Sequence, residues 1–579
     1  MAAHSVVAGV QEYIQAMVDR VSGMKVLILD EDTKGIISMV FSQSDILKHE
    51  VFLTECIDNE AFFQQGDEKM RHMNAICLLR PTNKNFLSLA RELKSPKYNE
   101  YHLFFTNVVP HTRLETLAIC DTHEVVHQVQ EFFADVFAIG HDLFSFNLPS
   151  TARLTEPKWT SYEECVFDRM LEGLLSVCLT LRMLPAIRYT AASGLTKQVA
   201  QRLQMRIQEE AALFETIDRR GDGQPVLLLV DRRNDPVTPL LNQWTYQAML
   251  HELLGVDNCL IDMSRVPNVR PELEMIVMSM IQDPFFEENA LSNFGDLGNT
   301  IQKYVEDYKR KTKNTANIES IEQMQRFVDQ YPEFRRLSGN VSKHVTVVSE
   351  LSRIVNANGL LEASQLEQEI ACSDSRQEHY RAVFEMLQGG SITNMERLRL
   401  VLLYALKYEN DPSIADLKRL LHQKDIEQDQ IALIDQLLRY AGQSVRSVDL
   451  FQNKSVIART KAAITRQVQG VDNVYTQHRS HLMHVADNLM KGRLKETSYP
   501  YLDPGGYQRP AASAAREQRV PRAVIFVVGG ATYEEARDIA ELNRAAEGGR
   551  TIVLGGTTIH NSRSFLTDVA QLGLPSGPE

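Results

Sequence analysis

Residues 226–231 read VLLLVD, five apolar residues that end on a carboxylate. A short apolar run without polar alternation is typical of a strand buried on both faces of a parallel sheet. Such a strand needs parallel neighbours, yet the next two comparable runs, AVIFVVGG (523–530) and TIVLGG (551–556), come about 300 residues later. Each is followed by a segment of helical periodicity. We therefore predict an α/β domain that is assembled from two distant parts of the chain.

The N-terminal quarter of the chain predicts a separate α/β domain. Strand-like runs at 25–30, 74–80 and 100–107 alternate with segments of helical periodicity at 36–49 and 83–94. Strands that alternate with helices of this length favour a parallel sheet with helices on both faces.

The middle of the chain predicts an insert that is almost entirely helical. Its amphipathic helices include 320–331 and 341–358, and we expect Pro332 to separate them because proline removes a helical backbone hydrogen bond. The basic run YKRKTK at 308–313 fits a solvated loop tip between helices. The segment at 503–522, rich in proline, glycine and alanine, is typical of a loose surface loop.

The predicted fold class is therefore α/β with an all-α insert: two parallel-sheet domains, the second discontinuous, and a large helical third domain. The predicted boundaries are 1–138 for the first domain, 139–242 with 486–579 for the second, and 243–485 for the third, which carries a helical hairpin at about 295–358.

Composition narrows the class of function. The formal net charge is −13, which disfavours a nucleic-acid partner. The seven cysteines are scattered, without the paired spacing of a zinc site or a disulfide framework. No apolar run is long enough to cross a bilayer, so we expect a cytosolic protein that does not insert into membranes.

One motif suggests an enzyme. Residues 123–127 read HEVVH, and on a helix His123 and His127 would share a face that binds zinc, with Glu124 as general base. We predict a helix from Arg113 to Phe133, whose apolar stripe packs on the sheet, and find no third ligand. A zinc-dependent hydrolase is therefore the weaker of two hypotheses.

The other candidate sites favour structural roles. Asp231 and Asp235 are separated by three residues, whereas aspartate-nucleophile phosphotransferases use D-x-D, so we expect the pair to shape a turn in which Asp235 or Thr238 caps the next helix. The glycine pairs that follow the two C-terminal strands lack a phosphate-binding pattern. We predict tight turns there, capped by Thr532 and Thr557.

Several long segments resemble the SM family of SNARE-binding proteins, in particular its endosomal and trans-Golgi branch. The resemblance extends over nearly the whole chain. Its strongest segments are LLLVDRRNDPVTPLLNQWTYQAMLHELL (227–254), YHLFFTN (101–107), GNVSKHVTVVSELSRIV (339–355), NVYTQH (473–478), KGRLKETSYPYL (491–502), FVVGGATYEEA (526–536) and IVLGGTTIHNSRSFL (552–566).

The resemblance implies an arch-shaped protein with the domain layout described above. It implies a regulator of SNARE assembly in vesicle fusion that has no enzymatic activity, cofactor or metal. The expected partner is one syntaxin-type Qa-SNARE, bound 1:1 by a monomer through its N-terminal peptide and through its helical bundle in a central cleft. Assembled SNARE complexes that include the vesicle SNARE are a further expected partner, and Golgi and endosomal membranes are the expected location.

The resemblance also assigns residues. Leu114 and Leu117, with Val109 beside them, would form the apolar pocket for the SNARE N-terminal peptide, and Glu131 would pair with a basic residue of that peptide. In the third domain, Pro332 would act as the hinge of the helical hairpin. Val345 would belong to the surface that meets the vesicle SNARE.

Overall fold

The first sheet is built entirely from the N-terminal part of the chain. In the computed structural model its strands lie in the order β2-β1-β3-β4-β5, and all neighbours are parallel. The sheet is flanked by helices on both faces, as predicted. The bounds are α1 Val6–Asp19, β1 Lys25–Leu29, α2 Glu31–Val40, α3 Gln43–Lys48, β2 Val51–Cys56, α4 Glu60–Gln64, β3 Asn74–Leu79, α5 Asn83–Lys94, β4 Tyr101–Phe105, α6 His111–Cys120 and β5 Val126–Glu131.

The structure describes residues 5–64, 69–215, 217, 224–267, 269–315, 321–446, 450–451, 477–502, 520–546 and 549–573. For residues 64, 308–315 and 321–338 it describes the backbone alone. The predicted loose loop at 503–522 lies outside these ranges except for its last three residues.

The second sheet joins distant parts of the chain, as VLLLVD requires. Its order is β6-β7-β13-β12-β9-β8, in which only the β6–β7 pair is antiparallel. The bounds are β6 Phe137–Gly140, β7 Leu143–Ser145, α7 Ser161–Thr180, β8 Ala186–Tyr189, α8 Gly194–Glu209, α9 Ala211–Phe214, β9 Val226–Asp231, α19 His481–Met490, β12 Arg522–Val528, α20 Tyr533–Ala545, β13 Thr551–Gly556 and α21 Ser562–Ala570.

The part between the two halves of this sheet is mainly helical. The bounds are α10 Tyr246–Met249, β10 Leu260–Asp262, β11 Met275–Val277, α11 Pro284–Asn289, α12 Phe294–Thr315, α13 Ile321–Ala357, α14 Leu360–Cys372, α15 Arg376–Gln388, α16 Asn394–Lys407, α17 Ser413–Gln423 and α18 Gln428–Ala441. These elements confirm the predicted fold class, while the domain boundaries stay a prediction.

Several local predictions were wrong. The predicted helix over 36–49 is two helices, because Ser42 begins a new helix through a capping box with Asp45. The antiparallel ribbon of β10 and β11 was missed within the helical insert. The run at 308–313 belongs to α12 and is not a loop. The predicted helix over 113–133 is a helix, α6, only as far as Cys120, and a strand, β5, begins at Val126.

The helical hairpin is present, but the helix break at Pro332 is not. Helices α12 and α13 pack against each other, and α13 continues without interruption through Pro332. An interior proline costs a helix one hydrogen bond and some steric strain, yet a long helix can retain its course on either side of the lost bond. Pro332 is therefore an internal position of α13 and not its boundary.

Candidate functional site

The four residues predicted to bind a peptide lie together at one edge of the first sheet. Helix α6 packs beside α5, and α6 carries Leu114 and Leu117. Leu117 and Val109 belong to the hydrophobic core on this face of the sheet, and Leu114 packs against that core while remaining half-buried. Leu114 is thus the side chain of this apolar group that an external ligand can reach most easily.

Glu131 supplies the polar side of this edge. It is the last residue of β5, an outer strand of the sheet, and its Oε1 accepts a hydrogen bond of 2.7 Å from the Val109 amide. Burial and the nearby carboxylates of Glu131 and Glu209 raise the pKa of Glu210. Carboxylates that converge in this way favour a cation over an anion as ligand.

The chain segments on either side of this edge are hydrogen-bonded to one helix of the second α/β region, α7. On one side, Asn107 Nδ2 donates to the Glu172 carbonyl oxygen at 3.0 Å. On the other side, the hydroxyls of Ser176 and Thr180 donate to the Phe133 carbonyl oxygen at 2.8 and 2.5 Å. The edge is therefore positioned by the junction between the two α/β regions.

The HEVVH motif does not lie on a helix. Helix α6 ends at Cys120, the chain turns, and Glu124 adopts a left-handed φ of 53°. The Asp121 carboxylate accepts from the Val125 and Val126 amides at 2.9 and 3.0 Å, which fixes the turn, and His127 then lies on β5.

The geometry required for the zinc hypothesis is therefore missing, since His123 precedes the turn and His127 follows it. In the part of the chain that the structure describes, no three His, Cys, Asp or Glu side chains form a group that could hold a metal. Val125 and Phe132, which flank β5, are buried as the predicted helix required, so their apolar character alone did not distinguish a helix from a turn followed by a strand.

Asp231 is engaged at the carboxyl end of β9. Its Oδ1 caps the following turn by accepting from the Arg233 amide at 2.9 Å, and its Oδ2 binds the Arg233 guanidinium at 2.7 Å. The Ser193 hydroxyl also donates to Oδ2 at 2.5 Å. Both carboxylate oxygens are thus occupied by the protein's own groups, which leaves no free nucleophile.

Asp235 is engaged as well, in the same buried junction. It accepts from the Thr238 amide and hydroxyl at 3.0 and 2.7 Å and from the His481 amide of α19 at 3.1 Å. Burial acts to raise its pKa, but the Arg232 charge and these hydrogen bonds prevail and lower the pKa of Asp235 to about 2. Arg232 in turn binds Glu535 of α20 at 2.8 Å.

The helix that Asp235 was expected to cap begins later than predicted. Asp235 and Thr238 shape two short 3-10 turns, Arg232–Asn234 and Thr238–Leu240, and α10 starts only at Tyr246. Pro236 and Pro239 lie in this stretch, and since neither has a backbone N–H to donate, they disfavour a continuous helix here.

The glycine turns after β12 and β13 are filled by the protein itself. A Cβ at Gly529 would lie 2.7 Å from Arg232 Cβ, and one at Gly530 would lie 2.3 Å from the His560 ring. Thr532 caps α20 through a capping box, as predicted. The predicted role of Thr557 was wrong, because Asn561 caps α21 and Thr557 is buried in the turn before it.

The base of the helical hairpin is fixed by a buried polar group. Asp283 caps α11, pairs with Lys343 and lies 2.9 Å from His344 Nε2, while His344 Nδ1 lies 2.9 Å from the Tyr246 hydroxyl. Burial lowers the pKa of His344. Val345, one residue further along α13, is exposed, as a contact residue for a partner must be.

Three polar residues at these sites, Asn107, Asp283 and His344, were not predicted from the sequence. Asn107 and His344 lie inside the recognised segments YHLFFTN and GNVSKHVTVVSELSRIV, so the signal was present there. Asp283 precedes a proline and two phenylalanines, a pattern typical of a helix start, from which its capping role could have been predicted.

Among the helices described, none is long and apolar enough to cross a bilayer.

Comparisons with known proteins agree with this architecture. The Sec1 family model matches residues 25–568. Vacuolar protein sorting-associated protein 45 of Homo sapiens is 43% identical over 576 residues, which cover 99% of this chain and 97% of that protein. Its namesake in Dictyostelium discoideum is 40% identical over 573 residues, covering 99% and 98% of the two chains.

Solved structures give the same result. The SM protein Vps45, in complex with the Qa SNARE Tlg2 (1-310), matches with a TM-score of 0.86 and 43% identity over 99% of this chain and 100% of that chain. Sly1p, in complex with an N-terminal peptide of Sed5p, matches with a TM-score of 0.79 over 98% and 99% of the two chains; at 20% identity it supports the fold alone. The resemblance seen in the sequence is confirmed, and this chain belongs to the Sec1 family.

Proposed function

We propose that this chain is an SM-type regulator of SNARE assembly that binds a syntaxin-type Qa-SNARE and has no catalytic role. The observation that carries the proposal is the edge of the first sheet, where half-buried Leu114 lies above the core residues Leu117 and Val109, next to the carboxylate of Glu131. An apolar anchor beside one charge is how a short extended peptide gains both affinity and specificity. The relative solved with the Qa SNARE Tlg2 supports this partner class.

A second contact is proposed for the helical part of the SNARE, in a cleft between the first α/β region and the helical insert. The hairpin of α12 and α13 offers Val345 to an assembled SNARE complex that includes the vesicle SNARE. This function places the protein in the cytoplasm, bound peripherally through its partners to trans-Golgi and endosomal membranes. It acts as a monomer bound 1:1 to the SNARE, without nucleic acid, metal or cofactor.

The peptide site is tested with a labelled N-terminal peptide of a trans-Golgi Qa-SNARE. Wild-type protein is expected to bind it, and Leu114→Arg is expected to weaken binding at least about tenfold, because the new charge loses hydration against an apolar surface. The measurement is fluorescence anisotropy. Leu114 is a better position than Leu117, because an arginine at the fully buried Leu117 would also disturb the core.

The matched control is Leu361→Arg, the same change at an exposed leucine of α14. It is expected to bind the peptide as wild type does. If wild-type protein binds no Qa-SNARE peptide, or if both arginine variants bind equally well, the proposed peptide site is wrong.

A further inference from the structure

The peptide edge contains a hydrogen-bonded chain that begins at α7 and ends at Glu131. Asn107 is almost fully buried and follows β4 by two residues. Its Nδ2 donates to the Glu172 carbonyl oxygen of α7 at 3.0 Å, while its Oδ1 accepts from the Val108 amide at 3.0 Å. The next amide, that of Val109, donates to Glu131 Oε1 at 2.7 Å. One side chain thus holds the segment that orients the carboxylate.

The arrangement has a chemical consequence for Glu131. The Val109 amide occupies one lobe of Oε1, so the carboxylate has a fixed direction, and the remaining oxygen, Oε2, can accept from a cation. A carboxylate that is oriented before binding loses less side-chain entropy when a guanidinium or ammonium group arrives. The chain just after Glu131 is also held by α7. The Ser176 and Thr180 hydroxyls donate to the carbonyl oxygen of Phe133, two residues beyond Glu131.

We propose that Asn107 is a positioning residue for peptide recognition, which acts through the Val109 amide to orient Glu131 toward a basic residue of the peptide. This inference rests on the proposed peptide site. Asn107 is buried and would act on the peptide only through Glu131. The preceding residue, Thr106, provides a contrast. Thr106 is equally buried, but its hydroxyl has no hydrogen-bond partner among the described residues.

The test is a double-mutant cycle on binding of the labelled Qa-SNARE N-terminal peptide, followed by anisotropy at constant salt. Asn107→Ala and Glu131→Gln are each expected to weaken binding about tenfold, and the double variant is expected to match Glu131→Gln alone. A residue that merely stabilises the fold would give the same loss with or without the Glu131 charge. Thr106→Val, which removes an unpaired hydroxyl next door, is expected to bind as wild type.

If Asn107→Ala fails to fold, Asn107→Asp replaces it, since aspartate has the same shape but cannot donate to the Glu172 carbonyl. Full binding by a folded Asn107 variant overturns the inference. So does a double variant whose loss is the product of the two single losses. In both cases the proposed peptide site still holds, provided that wild-type protein binds the peptide and Leu114→Arg loses that binding. A wild-type chain that binds no such peptide overturns the site and the inference together.

Discussion

At the scale of single residues, the carboxylates of Asp231 and Asp235 accept hydrogen bonds from the protein's own groups, which supports the structural role predicted for them. Asp231 is held by Arg233 and Ser193, and Asp235 by Thr238 and His481. The spacing of the pair argues against phosphotransfer. Neither spacing nor composition could show that His481, about 250 positions away, completes the shell around Asp235.

Asp235→Asn is expected to lower the free energy of unfolding by about 3 kcal/mol at pH 7, because it removes one of the two carboxylates that pair with the buried Arg232. The pKa of Asp235 is depressed to about 2 in the folded protein, against about 3.9 when unfolded. Its stabilisation is therefore present above pH 4 and is lost as the pH falls toward 2. Urea titrations should show a deficit about 1 kcal/mol smaller at pH 3 than at pH 7.

Glu362→Gln, at an exposed carboxylate of α14, is the control, and its free energy of unfolding should stay close to that of wild type. A deficit for Asp235→Asn that stays the same at both pH values would contradict the depressed pKa.

At the scale of elements, the sequence predicted β1, β3 and β4 of the first sheet, β9, β12 and β13 of the second, and most helices, since apolar runs and helical periodicity are local signals. It missed β5 and β8. The error at 113–133 has a physical cause. Val125 and Phe132 flank β5 and are buried, as they would be in a helix, while the turn is set by Asp121 and by Glu124 with its left-handed φ. Aspartate is a frequent turn former, so Asp121 was the available signal.

Pro332→Ala is expected to increase binding to assembled SNARE complexes. Helix α13 runs through this proline, and replacing it restores a backbone hydrogen bond and removes a penalty of about 3 kcal/mol that an interior proline imposes. The change therefore favours the continuous helix over any bent form of the hairpin. A pull-down with an assembled SNARE complex gives the measurement, and limited proteolysis over 308–340 reports the hairpin itself.

A matched control is Gly298→Ala, in α12 where a Cβ meets open space, since it raises helix propensity in the other arm of the hairpin. Unchanged SNARE binding and unchanged cleavage in Pro332→Ala would show that the proline does not limit the hairpin.

At the scale of the whole molecule, buried ion pairs join parts that are remote in sequence. Glu252 binds Arg399 of α16 at 3.2 Å and accepts from the Ser562 amide at the start of α21 at 2.9 Å. Arg399 also pairs with Glu367 of α14 at 3.2 Å. Such pairings follow from the packing of finished elements, which is why the sequence predicted the discontinuous domain but not the contacts that attach the insert to it.

Glu252→Ala is expected to separate the unfolding of the helical insert from that of the second sheet. It removes the carboxylate shared by α16 and α21 and leaves Arg399 with one partner fewer, at a cost of about 3 kcal/mol. Calorimetry should then resolve two transitions where wild type shows a more cooperative one. Glu362→Ala, at an exposed position, should leave the trace unchanged, and a single unshifted transition in Glu252→Ala would contradict the assignment.

The pairing of β9 with β12 also governs how the protein is made. Val226 lies opposite Ala523, so these two adjacent inner strands of the second sheet are about 300 residues apart in the chain. During synthesis β9 leaves the ribosome long before its partner, and it must wait as an apolar strand with an open edge while the insert folds. Closing so long a connection is slow unless the insert is already compact. The strand order therefore predicts that the insert folds first and that the second sheet is completed last.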